Sequence, residues 1–324
     1  MTQKENFYEM INGGKPEFLP NTRELYNISR CYVLMDQPLQ TGLDPFGVAW
    51  IQEPEGMVTD PTAKRMLDDI SDWKNVVKIP DPDTLPFEKM AAEELPRFSP
   101  DKPVNIYDSV GLFERLTALM GFEDGMCAML EDPEACDEFF SAIADYKIAC
   151  YNRIIDAYNP DIICYFDDIC TQRGPFVSPD TYRSLIKPHH KRIIDAVHAR
   201  GVLFMQHMCG FVEPILEDLV EIGIDIWNSA QRINDLSAIL EKYAGRLVVE
   251  GGWDNQAPCS WEDATEELLD AELIRCREEY GKHANYIICP TIITRQGNVM
   301  VIGDAIGDPR RQYVINKWHE LWRL

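Results

Sequence analysis

From about residue 100 onward the chain trades short β-branched and aromatic runs for longer amphipathic stretches, again and again, and this exchange limits the fold more than any other feature. The strand-like runs are Val104 to Val110, Asp161 to Asp168, Val202 to His207, Asp225 to Ala230, Arg246 to Gly252 and Asn285 to Thr291. Helical patterns separate them. The clearest are Leu112 to Met120, Pro133 to Tyr158, and Ser178 to Gly201, with Ser178 as N-cap, Pro179 at the first helical position and Gly201 as terminator. Further helical patterns follow over Phe211 to Gly223, Ile233 to Gly245 and Ser260 to Gly281. Strands joined through helices of this length pair in parallel, because the crossover returns the chain to the same end of the sheet.

Two parallel architectures satisfy that alternation. A doubly wound sheet opens on a glycine-rich phosphate loop, and neither G-x-G-x-x-G nor G-x-x-x-x-G-K-[ST] follows any strand here. Polar residues gather instead just after several different strands, which is how a (β/α)8 TIM barrel assembles a site at the carboxyl ends of its strands. With a weaker strand expected among residues 30 to 52, the strand candidates number seven and an eighth is within reach. The expectation is one barrel domain, 1–324, in which 101–324 form the main barrel. Residues 1–100, richer in proline and turns, form an N-terminal extension packed on it.

Charge removes whole classes of partner. With 31 basic against 54 acidic residues the formal net charge is -23, which repels phosphate backbones and anionic lipid surfaces. No apolar run of about 18 residues is present and the N-terminus has no signal-peptide pattern. Ten cysteines are scattered without C-x-x-C spacing, as in a protein kept reduced. A cytoplasmic protein with no nucleic-acid or membrane partner is expected, and a homodimer is compatible with the sequence.

The stretch "QHMCG" carries the first chemical signal. Residues two apart in an extended chain point the same way, so His207 and Cys209 at a strand end both face the mouth, where an imidazole and a thiolate can hold one zinc ion. Gly210 lets the backbone turn away at once. A catalytic zinc takes about three protein ligands and keeps one position open. Cys289, closing "YIIC" before Pro290, is the expected third, with Glu250 after "RLVV" in reserve as ligand or base.

Other strand ends supply candidates for acid–base work and substrate contact. Asp167 and Asp168 are adjacent, so one carboxylate faces the mouth while the other caps a neighbouring segment or meets Arg173; the mouth-facing one is expected to hold a substrate hydroxyl or deliver a proton. Asn228 and Gln231, and Trp253 and Asp254 in "EGGWDNQ", are expected to contact substrate.

The blocks "VGLFERLTALMGFED", "DDICTQRGPFVSPDTYRSLIKP", "QHMCGFVEPILEDLVEIGIDIWNSAQ" and "VVEGGWDNQ" resemble the uroporphyrinogen-decarboxylase-like barrels, specifically the cobalamin-dependent methyltransferase branch. The resemblance implies methyl transfer between a small substrate and a separate corrinoid protein, with zinc held through His207 and Cys209. The chain has no D-x-H-x-x-G of its own for cobalamin. The Arg-rich N-terminal motif with which the decarboxylases grip porphyrin carboxylates is not found, and the family's last zinc ligand falls about where this chain has Ile292. O-demethylation of a methoxylated aromatic is the favoured expectation; methylation of a thiol or folate, and a uroporphyrinogen-type decarboxylation, are the alternatives.

Overall fold

The computed structural model describes residues 1–53, 56–296, 299–302 and 307–323. Seven strands pair in parallel in one sheet, in chain order: β1 (Asn27–Ser29), β2 (Val104–Asp108), β3 (Ile162–Phe166), β4 (Leu203–His207), β5 (Ile226–Ala230), β6 (Val248–Gly251) and β7 (Tyr286–Ile288). The sheet is strongly curled. Strands β1 and β6 are five steps apart, roughly 24 Å in a flat sheet, yet the hydroxyl of Tyr26, just ahead of β1, donates to Glu250 of β6 at 2.7 Å. At the same seam Asn21 makes an isolated parallel bridge to Ile288 of β7. Among the described residues the sheet has these seven strands, and that bridge stands where the expected eighth would close the ring.

The weak strand sought within residues 30 to 52 lies at β1 instead, three residues long and too short to leave a periodic pattern. The strands that do fall in that window, Gly42–Leu43 and most of Ala49–Glu53, belong to a separate antiparallel ribbon with Gly56–Thr59. A hairpin, Ile293–Gln296 with Val299–Ile302, follows β7 and touches this ribbon.

Helices α1 (Leu112–Met120), α2 (Pro133–Tyr158), α3 (Lys187–His198), α4 (Glu213–Glu221), α5 (Leu236–Lys242) and α6 (Glu266–Tyr280) alternate with the strands. Their ends follow local chemistry. Asp132 caps α2 by accepting from the Ala135 amide at 3.0 Å, Pro133 occupies the first position, and Asn159 ends the helix in the left-handed conformation. Ser178 likewise caps the turn that starts at Pro179, but the winding widens over Tyr182–Ile186 before α3 begins. Alternate residues of the strands turn outward, so Ile163, Phe204, Trp227 and Val249 are buried. At the amino ends of the strands the helix Gln3–Ile11 docks through Lys4 and Tyr8, both bonded to the carboxylate of Asp161. No described helix is long and apolar enough to cross a membrane.

Charge is also buried. The Lys147 ammonium in α2 lies 2.6 Å from Asp36 and 2.8 Å from both oxygens of Asp108 at the end of β2. Arg115 in α1 bonds Asp36 and, at 2.6 Å, Asp44, and Asp44 also accepts from the Phe46 and Val48 amides and the Trp50 indole of the ribbon. All five charged side chains are 1% exposed or less. This network ties the ribbon, α1, α2 and β2 together directly beside the carboxyl ends of the strands.

Candidate metal centre

Strand register builds the site one side chain at a time. His207 closes β4, with Phe166 of β3 and Asn228 of β5 as its register partners. Cross-strand neighbours share a face, so the imidazole stacks on Phe166 with ring centroids 3.9 Å apart and planes 12° from parallel. On its other flank its Nδ1 is hydrogen-bonded to the Asn228 carbonyl oxygen. That leaves Nε2 pointing past the strand end. There it meets the Cys209 thiol, 3.6 Å away.

The turn at Gly210 has φ +87°, and a Cβ there would come 2.5 Å from the Thr171 carbonyl oxygen, so only glycine fits between Cys209 and the neighbouring loop. The Asp168 carboxylate comes from the loop just after the neighbouring strand β3 and accepts the Cys209 amide at 2.7 Å. Donor atoms of Asp168, His207 and Cys209 all lie within 4.8 Å of one another, and all three residues are partly exposed. Among the described residues this is the cluster whose His, Cys and carboxylate donors converge closely enough to hold a metal ion.

The electrostatics suit a cation. Burial pushes the Cys209 thiol well above its ordinary pKa, and the carboxylates of Asp168 and Glu114 push it further. Glu114 is itself held well above the usual carboxylate range by burial and by Asp168 and Asp167. A thiol raised in this way keeps its proton unless a positive ion arrives. Imidazole, thiolate and carboxylate are all established zinc donors, and the residues present fit that ion.

The two adjacent aspartates divide their roles. Asp168 faces the mouth. Asp167 turns away, fully buried, and accepts the amides of Leu112, Phe113 and Glu114 at the start of α1 together with the ring Nε2 of His190 at 2.8 Å. His190 thus takes the place expected of Arg173. A carboxylate at a helix N-terminus meets free N–H groups and the positive end of the helix dipole. Fixing Asp167 in this way fixes the direction of Asp168.

The remaining candidates sit behind or beside the cluster. Glu250 is 1% exposed; it accepts from Tyr26 and from the Asn228 amide, and burial raises its pKa to about 7. Asn228 is therefore spent on His207 and Glu250. Gln231 accepts the Gly210 amide at 3.0 Å and the Gln172 amide at 2.8 Å. Trp253 is buried, its indole donating to Ser260, and Asp254 pairs with Arg232 at 2.7 Å. Cys289 lies outside the three donors that converge within 4.8 Å, although its thiol is near enough to act electrostatically on Cys209; its sulfur lies 3.8 Å from Arg23. Ile292 is buried and carries no donor.

Three contributors had no place in the sequence expectations. Glu114 stands at the third position of α1, where its carboxyl accepts the Gly111 amide at 3.3 Å, a pattern visible in "GLFE", although its approach to Asp168 is not. Phe166 as the platform for His207 follows only from register. Tyr26 reaches Glu250 only because the sheet curls.

The family model described as uroporphyrinogen decarboxylase (URO-D) matches residues 50–291, the greater part of the chain. A solved structure, a methyltransferase from Methanosarcina mazei, superposes with a TM-score of 0.67 at 15% identity, covering 99% of each chain; this is a likeness of fold. A chitinase active domain from Pyrococcus furiosus aligns over 74% of this chain and 81% of its own at 13% identity, with a TM-score of 0.38, too low to carry an argument. No curated protein matches the sequence.

Proposed function

The chain belongs to the uroporphyrinogen decarboxylase (URO-D) family, and from that premise we propose that it is a methyltransferase, moving a methyl group between a small methoxylated aromatic and a corrinoid carried by a separate protein. The observation that carries this reading is the convergence of Asp168, His207 and Cys209 within 4.8 Å at the carboxyl ends of neighbouring strands. These three residues would hold zinc, in place of the set with Cys289. When bound, the ion supplies Lewis acidity that stabilises charge developing on an oxygen.

The donor set supports the direction of transfer. Replacing a second thiolate by the Asp168 carboxylate makes the site harder, which suits a phenolate oxygen as leaving group better than a thiol acceptor. The chain's own residues would orient and exclude: Phe166 packs one face of His207, and Asp167 anchors the neighbouring aspartate. The fold likeness to a methyltransferase supports the same reading. Cobalt chemistry belongs to the corrinoid, and the protein's part is to position and polarise the substrate.

The test is metal analysis combined with a methyl-transfer assay. The purified protein should carry about one zinc per chain, as a three-ligand catalytic site does. It should also form methylcobalamin from reduced cobalamin and a methoxylated aromatic, followed by absorbance. His207→Ala and Cys209→Ala should lose both properties. A protein that binds no zinc, with both variants indistinguishable from the wild type, would overturn the proposal.

A further inference from the structure

A hydrogen-bonded chain runs behind His207 across three neighbouring strands. The Tyr26 hydroxyl donates to Glu250 Oε2 at 2.7 Å, the other oxygen of Glu250 accepts from the Asn228 side-chain NH2, and the Asn228 carbonyl oxygen meets Nδ1 of His207. His207 and Asn228 are register partners on β4 and β5, and Glu250 follows the Trp227–Val249 pair on β6, at the point where the β5–β6 register shifts. Glu250 and Asn228 are 1% and 6% exposed. Water is thus a poor competitor for these bonds.

With Glu250 ionised, the order of donors along this chain is fixed. Burial and the adjacent Glu250 keep the Tyr26 phenol protonated, so it can only be the donor to Glu250. A carboxylate accepts, so the amide must offer it the NH2 and turn its oxygen to the imidazole. An oxygen beside Nδ1 requires a proton on Nδ1. In a neutral ring the bare lone pair is then on Nε2, the atom that faces Cys209.

The geometry points to Glu250 and Asn228, steadied by Tyr26, as positioning residues that hold His207 as its Nδ1–H tautomer with Nε2 free to bind a metal ion. This rests on the zinc-site reading above but is separable from it, since the tautomer exists whether or not metal is bound. Partners of this kind behind a ligand histidine commonly set ring orientation and ligand basicity, and their loss costs about 10–100-fold in metal affinity.

Nitrogen-15 NMR of the imidazoles, compared between wild type and variants, reads the tautomer directly. The wild type should show His207 protonated at Nδ1. Asn228→Leu, similar in size but without the acceptor, should give mixed tautomers and bind zinc about 10–100-fold more weakly in competition with a chromophoric chelator. Asn228→Asp, which keeps an acceptor beside Nδ1, should restore the tautomer and most of the affinity. Tyr26→Phe and Glu250→Gln are milder changes that should fall between, and they keep the test decisive if Asn228→Leu fails to fold. Wild-type tautomer and zinc affinity in all folded variants would overturn the inference. A wild type that holds the Nδ1–H tautomer yet binds no zinc would instead sink the zinc site and leave the relay standing.

Discussion

Replacing Lys147 by methionine removes the central cation from the network beneath the site. Lys147 is the shared partner of Asp36 and Asp108, at 2.6 and 2.8 Å, with every group 1% exposed or less. After the change Asp36 keeps Arg115 at 3.1 Å and Asp108 keeps the Tyr151 hydroxyl, so one buried carboxylate loses its cation. Removing one member of a buried pair costs about 3–5 kcal/mol, because the charge left behind is uncompensated. Unfolding entropy of about 2.1 cal/mol/K per residue gives roughly 0.7 kcal/mol/K for a chain of this length, so the melting temperature should fall by roughly 4–7 °C. The pH dependence carries the signature of the mechanism. Burial already holds Asp36 up at about 7 against the pull of Lys147, and without that lysine its neutral form is favoured further. A carboxyl whose folded pKa is raised stabilises the fold below its unfolded value and loses that contribution as pH rises through the folded one. The deficit of Lys147→Met, measured by denaturant unfolding, should therefore be larger at pH 8 than at pH 5. A loss under about 1 kcal/mol, or one independent of pH, would show that the network does not hold the fold as the distances imply.

The same logic extends to the aspartate behind the site and to Glu250. Asp167→Ala should destabilise the protein by roughly 2–4 kcal/mol, combining a lost helix cap with an unpaired buried His190; urea titration measures it, and a change within experimental error would refute the capping role. For Glu250 the folded pKa of about 7 lies above the ordinary 4.5, a gap worth about 3 kcal/mol. Its contribution is complete below the ordinary value and is lost as pH rises through 7. Wild-type stability should thus decline from pH 5 to pH 8 more steeply than that of Glu250→Gln; parallel curves would contradict the raised value.

How far the site could be read in advance depends on the distance over which each signal acts. His207 and Cys209 are two residues apart at the end of an apolar run, and the period of an extended chain is enough to put them on one side. The opposed directions of Asp167 and Asp168 follow from the same period. Which of them faces the mouth does not, because that is decided by where the N-terminus of α1 arrives. Cys289 has the right chemistry and the right place at a strand end, but it lies outside the 4.8 Å within which Asp168, His207 and Cys209 converge. Trp253, Asp254 and Gln231 also lie at strand ends, and the loops around them supplied other partners.

Local sequence, then, determined the alternation of strand and helix, the helix caps at Asp132 and Ser178, and the pairing of His207 with Cys209, since each depends on residues within a few positions of one another. Tertiary structure alone decided that the first sheet strand is Asn27–Ser29, that Asp168 completes the cluster, and that Tyr26 and Glu250 stand behind His207. Those outcomes come from the curl and register of the sheet, which bring together residues such as Tyr26 and Glu250, 224 positions apart. No local pattern encodes such a meeting, because it is the packing of the whole chain that selects it.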